Sequence, residues 1–72
     1  MTGRDELREA LGEAVEVLRT LGKPMFDVLD LDGVTDAERT PAVAHALGVI
    51  EGAAVALGVT PIELLDEYGL LE

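Results

Sequence analysis

The chain has 72 residues, no cysteine, fifteen acidic residues against five basic ones, and a formal net charge of −10. That length allows a single domain over residues 1–72, whose core supplies only about 3–5 kcal/mol, with neither disulfides nor thiolate metal sites to reinforce it. A surface of this sign repels phosphate and anionic lipid, which disfavours ordinary nucleic-acid and acidic-membrane binding and leaves basic protein surface as the natural counterpart.

The opening Met1-Thr2-Gly3-Arg4-Asp5-Glu6 carries no apolar core of a secretory signal, so a cytoplasmic location is expected. A first helix is expected from Arg4 to Leu21, capped by Thr2 with Asp5 three residues on, and closed by Gly22-Lys23-Pro24. Leu7, Leu11, Ala14, Leu18 and Leu21 recur at spacings of four and three, which draws one apolar seam for helix packing. Val15 and Val17 widen it. Glu6, Glu9, Glu13 and Glu16 make an acidic ridge elsewhere on the cylinder, where like charges three and four apart repel by a few tenths of a kcal/mol per pair.

Residues Pro24 to Leu31 predict a short helix with proline at its first position. Met25, Val28 and Leu29 would face the core, and Phe26 or Leu31 would close one end. Asp30-Leu31-Asp32-Gly33 invites comparison with a calcium loop. With Gly33 at the sixth position, however, the first falls on Val28 and the twelfth on Arg39, so both anchor positions fail and a solvated acidic turn is expected. Thr35-Asp36-Ala37-Glu38 reads as a capping box, cut short by Thr40-Pro41 into a turn over Asp36 to Arg39.

The main helix is expected from Pro41 to Leu57. Ala44, Gly48, Gly52 and Ala56 repeat every four residues as a stripe of small side chains, which lets another helix approach closely. Each helix-interior glycine costs about 1 kcal/mol relative to alanine, and close backbone contact is the obvious compensation. Val43, Leu47, Ile50, Val55 and Leu57 occupy the opposite edges, so the helix reads as apolar on most sides, central and buried. The weakly polar run from Pro41 to Val59 approaches the length of a membrane span, yet it is mostly Ala and Gly and holds Glu51 mid-run. A buried helix, not a membrane, is the expectation.

The last helix is capped by Thr60, with Pro61 first, Glu63 completing the box and Gly69 ending it as Leu70 folds back. Ile62, Leu65 and Leu64 would point inward. Ala56-Leu57-Gly58-Val59-Thr60-Pro61-Ile62-Glu63-Leu64-Leu65 resembles the closing segment of phage-repressor-type helix-turn-helix domains, where a helix ends in Leu-Gly before a capped, leucine-rich helix. The resemblance covers ten residues and implies a compact helical fold with similar end-packing. It does not extend to a basic recognition helix, since the stretch where one would lie is apolar or acidic, and DNA binding is not inferred from it.

Serine, asparagine, glutamine, tryptophan and cysteine do not occur, which removes most side chains that build catalytic sites. His45 is the single histidine and has no nucleophile or nearby acid on its helix face, so it reads as a core or interface residue. Neither a catalytic site, a cofactor nor a metal is expected.

The expected fold is thus all-α: a compact bundle of three main helices plus one or two short ones, with Pro41–Leu57 at its centre. The expected function is a non-enzymatic protein–protein interaction module (an adaptor, regulator or inhibitor) that self-associates as a homodimer or joins a heteromer. The alternative is an acidic nucleic-acid mimic, of a kind common among phage-encoded inhibitors, that occupies a DNA- or RNA-binding protein. Its surface would be Glu6, Glu9, Glu13, Glu16, Asp27, Asp30, Asp32 and Asp36. The acidity has a second source in a salt-adapted or high-GC host, because net charge governs solubility before it selects partners.

Overall fold

The computed structural model describes residues 3–30 and 33–71. The chain runs through α1 (Gly3–Arg19), α2 (Met25–Val28), a 3-10 turn (Asp36–Glu38), α3 (Pro41–Leu57) and α4 (Pro61–Glu67), with no strand among the described residues. The fold is all-α, as expected.

α1 buries Leu11, Ala14, Val15 and Leu18 and half-buries Leu7, Val17 and Leu21, while Glu6, Glu9, Glu13 and Glu16 are exposed. The seam therefore packs inside one copy of the chain. The helix stops at Arg19, two residues before the expected Leu21. The N–H groups of Thr20, Leu21 and Gly22 donate instead to carbonyls three residues back, and the Thr20 hydroxyl donates to the Val17 carbonyl at 2.6 Å, which tightens and ends the last turn. The proposed cap Thr2 lies outside the described residues.

α2 is shorter than expected, and Pro24 precedes it as an extended residue instead of opening it. Met25 and Val28, three apart, share the buried face and Leu29 is half-buried; Phe26 is turned off that face and 62% exposed. Phe26 does not close the core. Leu31 and Asp32 fall outside the described residues. Gly33 lies so close to the Asp27 carbonyl that a Cβ there would overlap it, so this turn accepts only glycine without moving.

Local capping fixes the rest. Thr35 and Glu38 form the expected box. Thr40 Oγ1 accepts from the Val43 N–H at 3.2 Å to start α3. That helix ends at Gly58, whose φ of +73° favours glycine, and the Val59 N–H donates back to the Ala54 carbonyl at 3.0 Å. Thr60 and Glu63 exchange the reciprocal bonds of a second box, both at 3.1 Å, and the Leu70 N–H closes α4 on the Leu65 carbonyl at 2.8 Å.

α3 packs against α1 and α4, with an 88° bend between α3 and α4. Leu11, Leu18, Val28, Ile50, Leu64 and Leu65 are the largest fully buried side chains, joined by Val34, Val43 and Leu47. Leu64 and Leu65 both point inward, whereas Ile62 is only half-buried. The Cα radius of gyration of 11.5 Å matches the roughly 11 Å of a compact chain this long, so a single copy closes its own core. A further expectation fails. α3 is not buried on most sides: its inner face holds Val43, Ala46, Leu47, Ile50 and Ala54, but Val55 and Leu57 are 80% and 53% exposed. An apolar helix in so small a bundle has neighbours for one face only.

Candidate functional site

The face that α3 turns outward is the stripe itself. Ala44, Gly48, Gly52 and Ala56 are all exposed, and nothing lies within 4 Å of where a Cβ on Gly48 or Gly52 would stand. The close approach that would compensate two helix-interior glycines is not made within the chain. Glu51 is the one acidic residue in α3, and along one edge of the stripe Ala44 and Gly48 share a recess with Asp30, Arg39 and Glu51.

A second feature lies where α1 and α3 meet. Ala10, Glu13, Ala14 and Val17 of α1 and Ala42, His45, Ala46 and Val49 of α3 line a groove of about 220 Å³. Alanines make its floor shallow and continuous; Glu13 and His45 are its polar members, and both are exposed. His45 is thus a surface residue and not a core one. Glu9 and Glu16 lie four and three positions from Glu13 and so neighbour it on the helix surface. The groove was not foreseen, because it exists only once the two helices are paired. The apolar positions Ala10, Val17, Ala42 and Val49, lying beside the buried faces, were the available signal.

Of the proposed acidic surface, Glu6, Glu9, Glu13 and Glu16 are brought together on α1, opposite its buried seam. Asp27, Asp30 and Asp36 are exposed as well but belong to α2 and the following loop. Asp32 lies outside the described residues.

That loop is held by an unforeseen ion pair. Lys23 Nζ donates to Glu38 Oε1 at 2.6 Å and to the Gly33 carbonyl at 2.8 Å, while the same Glu38 oxygen accepts from Thr35 N and Oγ1 at 3.0 and 3.1 Å. The Lys23 hydrogen bond, then the Thr35 N–H, lower the Glu38 pKa from 4.5 to about 2. A carboxylate depressed in the folded state contributes stability that is fully present above its unfolded pKa and is lost as pH falls through the folded one. The expected result is that the melting-temperature advantage of the native chain over Glu38→Gln stays constant above about pH 4.5 and disappears towards pH 2. Paired melts at each pH cancel the background repulsion of the other acids; an advantage unchanged across that window would show that the pair does not hold the loop.

Among the described residues, no group of three or more His, Asp or Glu side chains is placed to hold a metal ion. No single helix among them is long and apolar enough to cross a membrane; α3 and α4 reach that composition only as a bent pair. No family model, no curated protein and no solved structure matches the chain.

Proposed function

We propose that the chain is a small, non-enzymatic protein-interaction module that self-associates through the outer face of α3. The observation carrying this reading is the empty space over Gly48 and Gly52, on an exposed face that also presents Val55. A second copy is the favoured occupant. Two identical small-residue stripes permit close approach about a two-fold axis, and the glutamate ridge that would push two copies apart lies on α1, while Asp30, Arg39 and Glu51 meet the stripe along one edge only. Self-association there leaves the glutamates of α1 free to meet a basic partner, as an adaptor, regulator or inhibitor would.

The acidic-mimic reading is favoured by one observation, the exposure of Glu6, Glu9, Glu13 and Glu16 along one helix. It shares the partner's basic character but needs no self-association. Sedimentation equilibrium at low salt and at about 1 M, where charge acts over only about 3 Å, separates the two. A dimer at both salts, lost in Gly48→Leu, is the expected result. A monomer at every salt and concentration ends the self-association reading. Assembly only at high salt would mean that the charge reflects the host's habitat.

A further inference from the structure

We infer that the α1/α3 groove receives an amphipathic helix from a basic protein partner, its apolar side chains on the alanine floor and its Lys or Arg side chains against the glutamates of α1. This rests on the reading of the chain as an interaction module, but it concerns a different face from the one proposed for self-association.

Size narrows the occupant first. A volume of about 220 Å³ falls below the roughly 300–1,000 Å³ of small-molecule and cofactor sites, so it suits side chains presented by a protein better than a free metabolite. Shape narrows it again. The lining positions run Ala10, Glu13, Ala14, Val17 and Ala42, His45, Ala46, Val49, spacings of three and four on both walls. A trough between two helices with that period accepts a third helix, whose own anchors repeat at the same spacing.

Charge then selects the partner's sign. Glu13 stands on the α1 wall, Glu6 lies seven positions back on the same side, and Glu9 and Glu16 continue the ridge outward; all four are exposed. No lysine or arginine lines the groove; its one basic side chain is His45, on the α3 wall. Arg19 lines a neighbouring recess with Gly12, Glu13, Val15, Glu16 and Leu70, on the side of the ridge away from the groove, and Arg8, eleven positions earlier, falls on that same side of α1 by the helical period. A cationic helix would relieve the repulsion along the ridge while burying its apolar face. A second copy would bring a net charge of −10 to this wall, which makes it the poorer occupant here.

The test uses the full chain and three synthetic helical peptides, followed by fluorescence anisotropy. The first is a leucine–lysine helix with apolar residues every three and four positions. The second has the same apolar stripe with glutamate in place of lysine, and the third has the first peptide's composition with the stripe scrambled. The first peptide is expected to bind at least about tenfold more tightly than either of the others. Ala10→Trp, an exposed position that fills the groove, is expected to weaken it by about tenfold or more, and Glu9→Lys with Glu13→Lys by at least as much. Gly48→Leu, outside the groove lining, should leave it unchanged while altering the dimer, so failure of one proposal is distinguishable from failure of the other. Binding that survives Ala10→Trp in a folded protein, equal binding of the scrambled peptide, or none at about 1 mM peptide overturns the inference.

Discussion

Leu11→Asp is expected to leave no folded protein at neutral pH. Leu11 is 0% exposed, in contact with the core built by α1, α3 and α4. Removing a buried leucine costs about 2–5 kcal/mol by lost transfer energy and cavity formation, and an unpaired buried carboxylate adds several more. A core of this size supplies only about 3–5 kcal/mol, so the two terms together exceed the margin. Far-UV circular dichroism and proton NMR should report a random chain. Val55→Asp, at 80% exposure, is the matched control and should stay within about 0.5 kcal/mol of the native chain as a monomer. A folded Leu11→Asp protein would mean that the α1 seam is not the core, and the packing described above would be wrong.

Replacing Gly48 and Gly52 together by alanine is expected to do the reverse in dilute solution. Each glycine costs an exposed helix interior about 1 kcal/mol, and open space over both positions means that the added methyl groups meet nothing. For a domain of this length about 2 kcal/mol raises the melting temperature by roughly 8–16 °C. The same methyl groups stand where a second stripe would make its closest approach. At concentrations where the native chain is dimeric, its stability carries the association term, and the double variant should lose that term even as the isolated chain gains. A melting temperature that rises equally at all concentrations, with unchanged oligomer size, would mean that the stripe contacts no copy.

The elements most legible in the sequence are those fixed within a few residues. Thr40-Pro41 and Gly58 bound α3 at the expected positions, and the Thr35/Glu38 and Thr60/Glu63 boxes form as their spacing required. What was not legible depends on which surfaces meet. Nearly every face of α3 is apolar, so periodicity could not say which one the bundle would use, and the stripe turned out to face outward. Phe26 misleads for a similar reason: hydrophobicity argues for burial, but Met25 and Val28 already take the inward face of a one-turn helix. The Lys23–Glu38 pair joins residues fifteen apart across a loop, and no local pattern announces it. Of the candidate site, the acidic ridge follows from spacing alone, while the groove beside it needs the pairing of α1 with α3 across the intervening α2 and 3-10 turn.

Lys23 is the chain's single lysine, which matters for handling the protein. Within these 72 residues, dyes, biotin esters and amine-coupling surfaces have that one side-chain amine to react with. The ε-amine is engaged by Glu38 and by the Gly33 carbonyl, and acylation would erase its charge and unfasten both. A probe attached there would report on a loosened loop between α2 and α3. Tags for the association experiments therefore belong away from this amine, where coupling leaves the fastening intact.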